Sequence, residues 1–124
     1  MSKLSARSED YLKAILKLQD QKKVVRVKDL AQCLGVRSPT VVGVVSGLKE
    51  SGLVDQEHYG YIFLTPKGKA AARTLVQNED LLRTFFEEVL NLDSGEATQN
   101  ACNVEHFITP RCRERLVSFI RFLE

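Results

Sequence analysis

Residues 28–50 read KDLAQCLGVRSPTVVGVVSGLKE, and this stretch decides the fold. Lys28 to Leu34 is a short helical run with Leu30, Ala31 and Leu34 turned inward, and Gly35 stands where a helix ends in a left-handed C-cap. Ser38-Pro39 opens a second helix that runs to about Glu50. A Ser oxygen at the cap accepts a bond from a free backbone N–H, and Pro fits the first helical position because its missing N–H is not needed there. Val41, Val44, Val45 and Leu48 recur at helical spacing as a core face. Two short helices joined by a tight turn containing Gly form a helix-turn-helix pattern.

The flanking sequence extends the pattern. Upstream, Tyr11, Leu12, Ile15, Leu16 and Leu18 form an apolar stripe on a first helix over about residues 5–21, and Val24-Val25-Arg26-Val27 reads as a short strand. Downstream, Leu53–Glu57 and Tyr61–Leu64 flank the turn His58-Tyr59-Gly60 as a hairpin, which after a helix-turn-helix is a wing. Thr65-Pro66 then opens a long helix to about Leu90, Asn91-Leu92-Asp93 breaks it, Ser94 caps a helix through about Phe107, and Thr109-Pro110 starts a last one. The expected fold is mainly α: a winged helix-turn-helix domain over residues 1–75 and a small helical domain over 76–124.

The chain has 124 residues, with 44% hydrophobic and 27% charged, which excludes a disordered chain and a coiled-coil rod. No apolar run approaches the ~20 residues of a membrane span. The N-terminus MSKLSARSED has no apolar signal core, so a cytoplasmic protein is expected. Three widely spaced cysteines do not suggest a disulfide framework. Cys33, in an apolar helix, is expected in the core, and Cys112 is expected to be a packing residue.

The net charge of +2 conceals an asymmetry. Residues 1–75 carry 13 Lys/Arg against 7 Asp/Glu, or +6; residues 76–124 carry 5 against 9, or −4. A basic front half suits a polyanion and an acidic back half suits something cationic. There is no Gly-rich phosphate loop and no nucleophile–base pair with an oxyanion site or substrate cleft, so an enzyme is not expected.

In the basic half, Ser38, Thr40, Val42, Gly43, Ser46, Gly47 and Lys49 face outward on the second helix of the motif. Its N-terminal residues Ser38, Pro39, Thr40 and Val42 are placed to reach base edges, Thr40 and Val42 by contact with thymine methyls. Arg26, Lys28, Arg37 and Lys49 are placed on phosphates, and His58 and Tyr59 at the wing tip on the minor groove or backbone. No Arg, Asn or Gln lies between Thr40 and Leu48, so specificity rests on few contacts or on DNA shape. The alternative reading is a winged-helix protein-interaction module with a structural or vacant metal site.

In the acidic half, Cys102, Glu105 and His106 stand at i, i+3 and i+4, on one face of a helix. A thiolate, a carboxylate and an imidazole on one face suit a borderline transition metal, although Cys on a helix is more often a buried small hydrophobe. The half is also rich in large apolar groups: Leu82, Phe85, Phe86, Val89, Phe107, Leu116, Phe119 and Ile120. A core this small is marginal alone, so part of this set is expected to pack against a second chain as a homodimer.

Four segments, taken in order, resemble the diphtheria-toxin-repressor family of iron- and manganese-dependent repressors: Glu9-Asp10-Tyr11-Leu12, Val36-Arg-Ser-Pro-Thr-Val41, Leu64-Thr-Pro-Lys-Gly68 and Ala101-Cys-Asn-Val-Glu-His106. The resemblance implies a winged helix followed by a metal-binding and dimerisation domain, and a dimer that binds a palindromic operator on double-stranded DNA when loaded with a divalent metal. It places Asp10, Glu79, Cys102, Glu105 and His106 as ligands, with Glu79 where the family usually has His. Arg83 and Thr98 fall where the family's second site draws ligands, so one site per chain is implied, and Lys13 stands where manganese-type members have a helix-one acid. Cys and His favour Fe(II), and the carboxylates keep Mn(II) as the next choice. A divalent cation would neutralise mutually repelling donors and draw helix one toward the second half, fixing the spacing of the recognition helices.

Overall fold

The computed structural model describes residues 4–21, 24–58 and 60–124. Along these the chain forms α1 (Ala6–Gln21), α2 (Val27–Leu34), α3 (Ser38–Glu50), β1 (Val54–Gln56), β2 (Ile62–Leu64), α4 (Pro66–Glu88), α5 (Ser94–Phe107) and α6 (Pro110–Leu123). They divide into two units, Met1–Leu75 and Val76–Glu124, and the boundary falls within α4.

In the first unit the apolar stripes of three helices and a small hairpin share one core. Leu12 and Ile15 come from α1, Leu30 from α2, Val41, Val45 and Leu48 from α3, and Val25 and Ile62 from the hairpin edge, all buried. Burying each such side chain contributes roughly 1.5–3 kcal/mol. Strands β1 and β2 pair antiparallel with Val54 opposite Leu64 and Gln56 opposite Ile62. Val54, Ile62 and Leu64 face the core while Phe63 faces out, the period-two alternation of a strand with one wet face. Gly60 closes the wing turn at φ 84°, a left-handed conformation that costs glycine little.

Several bonds fix the wing to its surroundings. Ile62 donates its N–H to the Val25 carbonyl at 2.8 Å, and the Gln19 side-chain carbonyl accepts the Leu64 N–H at 2.9 Å. Thr65 Oγ1 accepts the Gly68 N–H at 3.1 Å and so caps α4. A Cβ on Gly68 would fall on the Leu53 carbonyl, so glycine there permits close approach of α4 to the start of the hairpin.

The second unit packs Leu82 of α4, Ala101 of α5 and Ile120 of α6 together. Leu81, Phe85, Phe86, Val104 and Leu116 flank this centre, with the Phe85 and Phe86 rings edge-on at 5.8 Å. Asn91 (φ 59°) turns the chain after α4, Asp93 Oδ1 caps α5 by accepting the Glu96 N–H at 2.9 Å, and Thr109 Oγ1 caps α6 by accepting from Cys112 N–H at 3.1 Å.

Five details depart from the sequence reading. Val27 begins α2 rather than ending a strand, and only Val25 bridges the hairpin. Helix α3 starts one residue early, so Arg37 is its N-cap, Ser38 is already helical, and no side chain caps it. Likewise Asp93, not Ser94, caps α5, because the carboxylate reaches the Glu96 N–H. Cys33 is exposed: the inward stripe of α2 runs through Val27, Leu30, Ala31 and Leu34, and at about 100° per residue Cys33 falls off its flank. Cys112 is exposed for the same reason, since Val117 and Ile120 set the inward direction of α6. Tyr59 lies outside the described residues.

Candidate nucleic-acid face and metal-ligating residues

The exposed side of α3 carries Ser38, Pro39, Thr40, Val42, Gly43, Ser46, Gly47 and Lys49. Val42 stands 55% exposed, an isolated branched apolar side chain on an otherwise small and polar face. A Cβ at Gly43 or Gly47 would meet nothing within 4 Å, so the fold itself does not require glycine at either place. His58 is exposed on the wing turn.

The four cations assigned to phosphate are all exposed: Arg26 at the start of α2, Lys28 one step inside it, Arg37 at the cap of α3 and Lys49 in its last turn. Among the described residues none of them pairs with a carboxylate. The Arg26 guanidinium lies over the Tyr61 ring, 5.1 Å from its centroid, and donates to the Tyr61 hydroxyl at 3.1 Å. Lys49 Nζ donates to the Gln56 side-chain carbonyl at 3.4 Å. These partners are neutral, so each cation keeps its charge toward solvent. Tyr61 and Gln56 are the residues that sequence reasoning missed. Both belong to the wing, and no local pattern connects them with helices 7 to 35 residues away.

In the second unit, α5 turns Ala97 and Ala101 into the core and buries Glu105 to 2% exposure, while Cys102 and His106 are half-buried beside it. Ala97, Ala101 and Glu105 follow one another at i+4, so Glu105 continues the inward face of α5. Glu105 Oε1 and His106 Nδ1 are buried atoms with no hydrogen bond among the described residues, and both residues have other interactions. A buried carboxylate and an imidazole next to it on one helix face, with a thiol one turn before, are donors suited to a cation. Glu79 is half-buried on α4. Among the described residues, however, no three His, Cys, Asp or Glu side chains are gathered into a closed ligating set. The donors therefore fit a divalent transition metal by chemistry and by shared helix face, without forming a preassembled cage.

The other residues singled out have separate engagements. Asp10, on α1 in the first unit, lies 3.6 Å from the ammonium of Lys13, a buried lysine. Arg83 sits between Asp80 at 3.3 Å and Glu87 at 3.5 Å, and Thr98 Oγ1 donates to the Ser94 carbonyl at 2.8 Å. Leu82 and Ile120 are buried in the second unit's own core, whereas Val89, Phe107 and Phe119 are more than half exposed and Phe85, Phe86 and Leu116 are partly covered.

A helix-turn-helix with a paired wing and unneutralised cations, continuing into a helical unit with a thiol, a carboxylate and an imidazole on one helix face, defines a DNA-binding regulator with a metal-binding domain. Residues 3–62 match the N-terminal DNA-binding domain of iron dependent repressors, and residues 65–124 match the iron dependent repressor metal-binding and dimerisation domain. The chain belongs to the iron dependent repressor family, a family of transcriptional regulators and not of enzymes. It is 30% identical over 118 residues to an HTH-type transcriptional regulator of Methanocaldococcus jannaschii, covering 94% of each chain. It is 29% identical over 116 residues to the HTH-type transcriptional regulator MntR of Bacillus pumilus, covering 94% of this chain and 80% of that one. Among solved structures, a manganese-dependent transcriptional repressor in complex with manganese is 33% identical with a TM-score of 0.78, covering 93% of this chain and 53% of that one. The chain thus spans about half the length of that solved relative. No helix among the described residues is long and apolar enough to cross a membrane.

Proposed function

We propose that the protein is a cytoplasmic repressor of metal-homeostasis genes that binds a palindromic operator as a homodimer when loaded with Fe(II), or with Mn(II) as the next choice. The observation that carries the DNA part is the set of four exposed cations, Arg26, Lys28, Arg37 and Lys49, none of them neutralised by a carboxylate among the described residues. They lie at the start of α2, at both ends of α3 and against the wing. Phosphate contacts from such groups supply sequence-independent affinity, and Ser38, Pro39, Thr40 and Val42 supply contact to base edges.

The proposed ligands are Glu79, Cys102, Glu105 and His106 of the second unit, with Asp10 as the helix-one donor that the resemblance implies. A bound divalent cation would supply positive charge among groups that repel one another when ionised. Cys102 and His106 bias the site toward Fe(II), Co(II), Ni(II) or Zn(II), and the carboxylates toward harder ions such as Mn(II). Arg83 and Thr98, engaged elsewhere, support one site per chain.

The dimer reading rests on the exposed Val89, Phe107, Phe119 and Phe122. A hollow of about 580 Å³ between α4 and α6 adjoins Val89, with Leu81, Phe85, Ile120 and Leu123 in its wall beside Gln77, Asp80, Thr84, Glu88, Arg121 and Glu124. Apolar surface of this kind on so small a unit is suited to a second copy of the same unit.

The test is DNA binding to promoter fragments with chelator and then with Mn(II), Fe(II), Co(II) or Zn(II), beside direct titration of metal. Chelation is expected to weaken binding, and one metal to restore it. A Glu105→Ala, His106→Ala double variant is expected to lose at least about tenfold in metal affinity, the low end of what even outer partners of a metal site contribute. DNA affinity indifferent to chelation, or metal affinity unaltered in the double variant, overturns the metal reading and favours a winged helix with a vacant site.

A further inference from the structure

Arg26 is held from three directions without being neutralised. Its backbone is extended at the cap of α2 (φ −114°, ψ 164°), and its N–H donates to Asp29 Oδ2 at 2.9 Å. The preceding residue, Val25, is bridged to Ile62 of the wing. Its guanidinium rests on the Tyr61 ring at 5.1 Å and donates from Nη2 to the Tyr61 hydroxyl at 3.1 Å. Tyr61 immediately precedes β2, so the contact joins the start of the helix-turn-helix to the wing across 35 residues of sequence.

The chemistry of the partner matters. A guanidinium has five N–H donors and no acceptor, and the Tyr61 hydroxyl engages only one of its nitrogens. An aromatic face attracts the cation through its quadrupole but adds no negative charge, so the positive charge stays available. A carboxylate in the same place would cancel it, as Asp80 and Glu87 do for Arg83. Holding the long side chain in one arrangement beforehand also reduces the freedom it gives up on meeting a ligand. Arg26 remains exposed, so its unused donors face solvent.

We propose that Tyr61 is a positioning residue for phosphate recognition: its ring and hydroxyl hold Arg26 extended and unneutralised at the junction of α2 and the wing, where it meets a backbone phosphate of duplex DNA. This rests on the DNA-binding reading above. Because phosphate binding is independent of sequence, the operator is not needed to test it. The full chain is titrated with a short duplex of random sequence, by fluorescence anisotropy, over a salt series. Removing one cation that neutralises a phosphate lowers the slope of log affinity against log salt by about 0.9.

Arg26→Ala is expected to lower the slope by about 0.9, and Tyr61→Ala by a comparable amount. In the Arg26→Ala background, Tyr61→Ala is expected to cause no further decrease. Tyr61→Phe keeps the ring and removes only the hydroxyl bond, so its effect is expected to be smaller than that of Tyr61→Ala, and it guards against a Tyr61→Ala chain that fails to fold. A decrease from either Tyr61 variant that persists undiminished in the Arg26→Ala background overturns the proposal and makes Tyr61 a structural or directly DNA-binding residue. A wild-type slope in both Tyr61 variants, with a lowered slope in Arg26→Ala, overturns it as well. Arg37→Ala separates the two levels. If it lowers the slope and the Tyr61 variants do not, only the positioning role fails; if the wild-type chain shows no salt-dependent binding, the DNA reading fails with it.

Discussion

In the first unit Arg26 lies on the Tyr61 ring and Lys49 reaches the Gln56 carbonyl, whereas in the second unit Arg83 is clasped between Asp80 and Glu87. All three cations are anchored, yet the outcome is opposite. Neutral anchors fix the position of a charge and leave its field intact; carboxylate anchors remove the field. The net charges of +6 and −4 on residues 1–75 and 76–124 are therefore sharpened by local pairing. The first unit keeps positive potential for an external anion. The second keeps anionic and soft donors and quenches a cation among them.

The harshest way to break this contrast is through the frame that carries the neutral anchors. Gly68→Ala would drive a methyl group into the Leu53 carbonyl and force α4 away from the start of the wing. Overpacking of this kind costs about 1–3 kcal/mol, and the obstacle here is backbone, which places the expected loss near the upper end, about 3 kcal/mol by urea denaturation. An unchanged denaturation midpoint would mean that the approach of α4 to Leu53 is relaxed in solution.

A smaller effect, confined to nucleic acid, is expected from the first unit's unanchored cation. Arg37 has no side-chain partner among the described residues, so Arg37→Ala is expected to change stability by less than about 0.5 kcal/mol. It is expected to lower the salt slope for duplex DNA by about 0.9. A stability loss with an unaltered slope would reverse the assignment.

The smallest effect completes the comparison. Arg83→Ala removes two partly exposed ion pairs within one helix, worth about 0.3–0.5 kcal/mol each at most, and is expected to leave the salt slope at its wild-type value. A drop in slope comparable to that of Arg37→Ala would show that pairing with carboxylates does not withdraw a cation from DNA, and the contrast between the units would fall.

Much of this architecture was legible because its causes are local. Gly35 ends α2, Pro39, Pro66 and Pro110 mark helix starts, and Asn91 breaks α4, each through its own backbone preference. The errors were also local in origin. At α3 and α5 the cap moved by one residue: Asp93 takes the role from Ser94 with its own carboxylate, whereas α3 begins at Ser38 with no side chain in the role. Cys33 and Cys112 were misplaced because cysteine's usual burial was set above helical spacing, which puts both off the inward stripes of α2 and α6. The α5 donors were legible as a face, since i, i+3 and i+4 spacing does not depend on anything outside the helix. Their burial was not, because it depends on what other elements lie over that face.

By itself, then, the sequence determined the order of elements, the apolar faces, the separation of charge and the shared helical face of Cys102, Glu105 and His106. The pairing of Arg83 with Asp80 and Glu87 belongs with these, since it lies within one helix at i−3 and i+4. Tertiary structure alone decided the neutral partners of the first unit's cations: Tyr61 for Arg26 and Gln56 for Lys49. The physical reason is range. Backbone preference and helical periodicity act over a few residues and are written in composition and spacing. A partner from another element depends on which elements the buried core brings side by side, and Arg26 and Tyr61 meet only because Val25 and Ile62 are buried together beneath them.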